Sequence, residues 1–159
     1  MCWCPTNGET FASSNSDGSL RVWDLREQGP TLTIRAHDQE VLCCDWNKYE
    51  DFSLVTGGVD RTVRVWDIRQ PQVPVRVMIG HGYAVKRVIC SPHNGNLVAS
   101  CSYDMSVCYW DTKVQGKPLL LLFLPFKRRL NFFFLCFNVQ GSPWCKGGAT
   151  TPSSRQVWT

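Results

Sequence analysis

Hydrophobic and polar positions alternate in short runs throughout residues 1–111, with turn residues between the runs. That is the period-2 signature of half-buried β-strands. The clearest run is Thr62-Val63-Arg64-Val65-Trp66, preceded by runs at Val41 to Trp46 and Ser53 to Gly57 and followed by one at Val75 to Ile79. The same order recurs downstream at Val85 to Cys90, Leu97 to Cys101 and Ser106 to Trp110, with Leu119 to Leu124 suited to a fourth strand. Upstream it recurs at Thr10 to Ser14, Ser19 to Trp23 and Thr31 to Arg35, and Met1-Cys2-Trp3-Cys4 reads as the middle of a strand. Gly8, Asp17-Gly18, Pro71, Pro74 and Asn94-Gly95-Asn96 fall between runs, where turn chemistry requires them.

Three of these runs close on Trp-Asp, at Trp23-Asp24, Trp66-Asp67 and Trp110-Asp111, with the Trp residues 43 and 44 positions apart. A unit of roughly 40–45 residues ending in Trp-Asp specifies one four-stranded blade of a β-propeller. The expected fold is therefore all-β: an incomplete propeller of about three antiparallel blades at 1–35, 36–79 and 80–124, followed by a non-repeat tail at 125–159. Propellers close with roughly 4–8 blades, so the chain reads as part of a larger parent. Stability in repeat proteins comes largely from neighbour interfaces, so isolated three-blade material is expected to be poorly soluble.

A second periodicity surrounds each Trp-Asp. Asp17, Asp60 and Asp104 stand six residues before Trp23, Trp66 and Trp110. Ser13, Thr56 and Ser100 stand four before each Asp, and His37 and His81 stand 29 before Trp66 and Trp110. This arrangement resembles the WD-repeat family, which implies a buried hydrogen-bonded series of His, Ser/Thr, Asp and Trp in each blade. The residue types suit it, because a buried carboxylate is very costly unless held by donors. A catalytic His37–Thr56–Asp60 triad is the rival interpretation. The set recurs in the next blade, whereas a hydrolase needs one nucleophile, so the network is expected to be structural and the chain non-enzymatic.

Charge separates the repeats from the tail. Residues 1–111 carry 10 Lys+Arg against 13 Asp+Glu, while residues 112–159 carry 7 Lys+Arg and no acid. The repeat region has no basic stripe, which argues against nucleic acid as a partner. Residues 112–159 also hold six of the eight Phe residues, including Phe132-Phe133-Phe134 after Lys127-Arg128-Arg129. Their apolar segments fall well short of the roughly 20 residues a membrane span needs, and translated intron or frame-shifted sequence would account for their composition. The nine Cys residues include no Cys-x-x-Cys pair. Most lie inside apolar runs and are expected to be buried, reduced thiols in a cytosolic protein. No metal or cofactor is expected.

Wording outside the repeat consensus carries a narrower resemblance. Cys44-Asp45-Trp46-Asn47-Lys48-Tyr49, Gly80-His81-Gly82-Tyr83-Ala84-Val85 and Ala99-Ser100-Cys101-Ser102-Tyr103-Asp104-Met105-Ser106-Val107-Cys108 resemble the peroxin-7 family of type-2 peroxisomal targeting signal receptors, the plant form most closely. The resemblance covers roughly residues 1–111 and implies a cytoplasmic receptor that shuttles to the peroxisome. Its implied cargo is matrix proteins with an N-terminal presequence of the form Arg/Lys–Leu–five residues–His/Gln–Leu. Its implied partners are the type-1 signal receptor as co-receptor and the peroxisomal docking proteins. A cationic amphipathic helix calls for carboxylates and apolar or aromatic walls. In propellers the loops entering each first strand line one mouth of the ring, which selects Glu40 and Asp38 as carboxylates and Tyr83 as an aromatic wall.

Three other functions stay open at this stage. Trp23-Asp24-Leu25-Arg26 and Trp66-Asp67-Ile68-Arg69 resemble boxes of cullin-4 ubiquitin ligase substrate receptors, which implies Arg26 and Arg69 as adaptor contacts. Ser91-Pro92-His93-Asn94 resembles a segment of histone-binding chaperone propellers. A generic WD-repeat interaction scaffold fits the repeats equally well.

Overall fold

The computed structural model describes residues 1–114 and 118–123. Leu124 and the expected tail at 125–159, with its tribasic and Phe runs and Cys136 and Cys145, lie outside the described residues.

The described residues form three four-stranded antiparallel sheets, each built from strands consecutive in the chain. The first contains β1 (Cys2–Trp3), β2 (Thr10–Ser14), β3 (Ser19–Asp24) and β4 (Pro30–Arg35). The second contains β5 (Val41–Trp46), β6 (Ser53–Gly58), β7 (Thr62–Asp67) and β8 (Arg76–Ile79). The third contains β9 (Val85–Cys90), β10 (Leu97–Ser102), β11 (Ser106–Asp111) and β12 (Leu120–Phe123). These are three blades of an incomplete WD-repeat propeller. The register repeats with the sequence: Phe11 pairs with Trp23, Leu54 with Trp66 and Val98 with Trp110.

The core lies between sheets. Ala12, Leu20, Val22 and Ile34 of the first blade meet Val41, Cys44, Trp46, Leu54 and Trp66 of the second. Val55, Val63, Val65 and Met78 of the second meet Val85, Val88, Cys90, Val98 and Trp110 of the third. Strict alternation sends Leu54 to one core and Val55 to the other, so β6 is buried at all six positions. A fully buried Leu or Val side chain contributes about 1.5–3 kcal/mol relative to exposure, so the middle blade gains from both faces. In the first blade, Trp3 is 52% exposed and packs tilted against Phe11, which lies nearly parallel to Trp23.

Antiparallel pairing places two sets of turns on opposite rims. One rim carries the loops entering β5 and β9 together with the β2–β3, β6–β7 and β10–β11 turns. The other carries the ends of β3, β7 and β11, where the Trp-Asp pairs lie. There the second and third blades are tied by Asn47 Nδ2 donating to the Gly95 carbonyl at 2.8 Å and Tyr49 Oη donating to the Pro92 carbonyl at 2.8 Å.

Candidate functional site

In the second blade, Thr56 lies mid-strand on β6 opposite Arg64, and Trp66 lies two residues further along β7, while His37 arrives from the loop that enters β5. Trp66 Nε1 donates to Thr56 Oγ1 at 3.0 Å, and Thr56 Oγ1 stands 2.8 Å from His37 Nε2. His37 Nδ1 is 2.9 Å from both carboxylate oxygens of Asp60. One proton arrangement satisfies the whole series. Indole N–H donates to the hydroxyl, the hydroxyl donates to Nε2, and Nδ1–H donates to the carboxylate. Asp60 ends the series as an anion, also accepting from Thr62 backbone N–H (3.1 Å), Thr62 Oγ1 (2.8 Å) and Arg64 (3.0 Å).

Electrostatics agree with that assignment. Burial holds His37 below its ordinary value despite the attraction of Asp60, and Arg64 adds to the depression. For Asp60, burial alone would raise the value, but the hydrogen bonds from His37 and Thr62 outweigh it and hold the carboxyl low. Neutral imidazole beside ionised carboxylate is the stable pair.

The third blade repeats the geometry. Trp110 Nε1 donates to Ser100 Oγ at 2.7 Å, Ser100 Oγ stands 2.7 Å from His81 Nε2, and His81 Nδ1 is 3.2 Å from Asp104. Asp104 also accepts from the Gly82 and Ser106 backbone N–H groups, each at 2.8 Å. In the first blade the series is shorter. Trp23 donates to Ser13 at 2.9 Å, and Asp17 is held at the surface by Ser19 and Arg21. No histidine joins Ser13 among the described residues.

Two close approaches fix His37. The Gly18 carbonyl accepts from the Ala36 and His37 backbone N–H groups, and a Cβ at Gly18 would stand 2.6 Å from the His37 carbonyl oxygen. A Cβ at Gly58 would stand 2.7 Å from His37 Nδ1. The residue after each network Asp has positive φ: Gly18 (82°), Arg61 (68°) and Met105 (63°). Arg61 and Met105 therefore adopt the left-handed conformation that normally selects glycine. Only the first repeat signals this turn openly, with Asp17-Gly18.

On the same rim, Asp38, Gln39, Val59, Asp60, Arg61, Gly82, Tyr83 and Ala84 line an open hollow between the second and third blades. Asp38 and Tyr83 are thus brought together, both largely exposed, with Asp38 3.6 Å from Arg64. Glu40 is also exposed but does not line the hollow; its carbonyl accepts from the Val59 N–H. Sequence reasoning missed Arg61 in the lining, and it missed Ser19, Thr62 and Ser106 as partners of the network Asp. The signal was present, since each stands two residues after its Asp. Arg21 and Arg64, four after theirs, follow the same logic.

Arg26 and Arg69 lie on the opposite rim. Arg26 forks onto Asp24 (3.0 and 2.8 Å) and reaches Glu9, while Arg69 forks onto Asp67 (3.0 and 2.7 Å) and lies over the Phe52 ring. Each guanidinium is already paired with its own Trp-Asp box. Ser91-Pro92-His93-Asn94 forms a turn in which Ser91 Oγ accepts from the His93 and Asn94 N–H groups. Among the described residues, no group of three or more His, Cys, Asp or Glu could hold a metal ion, and no helix is long and apolar enough to cross a membrane. The seven described cysteines are free thiols. Burial pushes Cys43 up to about 12 and Cys108 up to about 11.

Residues 1–24, 28–67 and 72–111 match the family model for the WD domain, G-beta repeat, and the chain belongs to that family. Within it, the chain is 51% identical to the peroxisomal targeting signal 2 receptor of Dictyostelium discoideum, over 74% of this chain and 66% of the relative. It is 37% identical to the receptor of the same name in Saccharomyces cerevisiae, over 45% of this chain and 24% of that protein. It is 30% identical to mouse nucleoporin Nup43, over 69% of this chain and 30% of that protein. The chain thus spans less than two-thirds of each of these relatives.

Proposed function

We propose that this chain carries part of the ring of a type-2 peroxisomal targeting signal receptor, and that its contribution to cargo recognition is the rim bearing Asp38, Glu40 and Tyr83. The observation that carries this reading is the 51% identity to the Dictyostelium receptor, well above the 30% to Nup43. The rim geometry supports it. Exposed Asp38, from the loop entering β5, lines the same hollow as Tyr83, which is 66% exposed on the loop entering β9, and exposed Glu40 stands on the same loop as Asp38. That pairing suits the basic and apolar faces of the presequence helix. The reading brings with it a cytoplasmic receptor that shuttles to the peroxisome with the type-1 signal receptor and docking proteins, binding its cargo without cofactor or covalent chemistry. The network around His37 and His81 holds the rim and takes no part in chemistry.

The test grafts residues 1–111 into the Dictyostelium relative in place of the matching segment. Fluorescence anisotropy then follows a labelled Arg-Leu-x5-His-Leu peptide. Glu40→Arg and Asp38→Lys are expected to weaken binding about tenfold each, equivalent to about 1.4 kcal/mol, with steeper loss at low salt. Arg26→Ala plus Arg69→Ala, on the far rim, should leave affinity unchanged. Unchanged affinity in both charge reversals would refute the assignment. The 159-residue chain alone is expected not to bind the peptide.

A further inference from the structure

Cys2 on β1 and Cys44 on β5 belong to neighbouring blades and lie 42 residues apart in sequence, yet their sulfurs are 3.6 Å apart. That is van der Waals contact between two thiols, and a disulfide requires about 2.05 Å. Closing the remaining gap of about 1.6 Å is within reach of side-chain rotation and a small shift of β1, a two-residue strand. Cys43, the residue before Cys44, contacts the Gly57 and Val85 carbonyls on the other side of β5. Cys4 pairs with the Thr6 hydroxyl, and Cys90 sits near the Asp45 carbonyl.

We infer that Cys2 and Cys44 form a reversible oxidation site, at which a hydroperoxide converts the thiol pair into a disulfide that clips the first strands of two adjacent blades together.

The two sulfurs are unequal. The hydrogen bond from Cys2 holds the Cys44 thiol below its ordinary value, while the same bond pushes Cys2 up. Cys44 therefore gives up its proton more readily and is the attacking sulfur, while Cys2 keeps its proton until the second step. Cys44 sulfur attacks one peroxide oxygen, the O–O bond breaks, and the departing hydroxide (or alkoxide) takes up a proton. The resulting Cys44 sulfenic acid is attacked by Cys2 sulfur. Its S–O bond breaks, and hydroxide leaves with the Cys2 proton as water. With hydrogen peroxide, two thiols and one peroxide give one disulfide and two waters, so two electrons pass from sulfur to oxygen. Cys2 is partly buried and Cys44, in contact with it, is buried, so peroxide and a small thiol reductant have to reach the pair from the Cys2 side.

The experiment treats the purified 159-residue chain with substoichiometric to fivefold hydrogen peroxide, blocks remaining thiols by alkylation, and digests with trypsin. The expected product joins peptides 1–21 and 36–48, maps to Cys2–Cys44 on fragmentation, and disappears with dithiothreitol. Cys2→Ser and Cys44→Ser should each abolish it, whereas Cys4→Ser and Cys43→Ser should leave it intact. Circular dichroism of every variant checks that it folds, and Cys2→Ser, at the less buried of the two positions, is the decisive arm should Cys44→Ser unfold. Oxidation should also raise the thermal midpoint of the wild-type chain and leave that of Cys2→Ser unchanged. Quantitative alkylation of both thiols after oxidation, or a link through Cys4 or Cys43 instead, would overturn the inference.

Discussion

Replacing Thr56 by Val removes one oxygen from the centre of the second blade while nearly preserving shape. Thr56 is 0% exposed, and its hydroxyl both accepts from Trp66 and bonds to His37. The substitution strands the indole N–H of a side chain that is only 2% exposed, together with His37 Nε2. Each stranded buried group costs about 1–3 kcal/mol, and the added methyl returns about 0.8 kcal/mol. The net loss expected is about 1–5 kcal/mol, a large share of the 5–15 kcal/mol typical of a folded domain. Urea unfolding followed by circular dichroism measures it, provided the m-value is unchanged. Trp66→Phe then removes the stranded donor, so the double variant should be less damaged than the sum of the singles by about 1–2 kcal/mol. A loss below about 0.5 kcal/mol, or strict additivity, would show that the series holds no strain-free proton order and refute the network argument.

Acid should loosen the structure in two stages. Burial lowers His37 and His81 in the folded chain, amid Asp60, Asp38 and Arg64 for the first and Asp104 for the second. The unfolded chain therefore takes up protons first as pH falls through about 6.5. The histidine contribution is complete above that pH and is lost below it, down to the folded values. Asp60 and Asp104, also lowered, withdraw theirs below about 3.8. Urea midpoints at pH 7.5, 6.5 and 5.5 should fall in that order and flatten in His37→Gln plus His81→Gln; a flat wild-type profile would contradict this. At the left-handed turn, Arg61→Gly should raise stability by up to about 1 kcal/mol, because relief of about 1–2 kcal/mol exceeds the entropy cost of glycine. A lower thermal midpoint in that exposed variant would count against it.

The strands were legible because alternation and burial obey the same period. Thr62 to Trp66 could be read directly since Val63 and Val65 face one core while Thr62, Arg64 and Trp66 carry the hydrogen-bonded series on the other side. The bounds shifted where pairing rather than pattern decides: Pro30 opens β4 opposite Trp23, and Val75 donates to Val65 before β8 proper begins at Arg76. Spacing picked out Ser13, Thr56, Ser100, His37 and His81, because a network built on a repeating backbone must repeat in sequence, and the WD-repeat resemblance supplied what joins them. The left-handed residues were not legible, since neither Arg61 nor Met105 advertises its conformation. Nor was the Cys2–Cys44 contact, which depends on how adjacent blades abut, a relation no local pattern encodes. The hollow that joins Asp38 to Tyr83 likewise arises between blades, and Glu40 fell outside its lining because an exposed loop side chain has no period to reveal its direction.

His37 belongs by position to the link after the first sheet, but its partners belong to the second. The same offset puts His81 before the third, and partner separations repeat as 10, 19 and 23 residues in both blades. Every closure is therefore short, the kind that forms quickly on a growing chain. Synthesis delivers the Gly18 turn before the His37 that rests on it, and His37 before the strands that close around it. Assembly can proceed in the order of translation, each blade handing the next its first fixed point. A genetic exchange that cut after Trp-Asp would keep that order, whereas a cut between His37 and Val41 would leave the incoming blade without the residue that its interior requires.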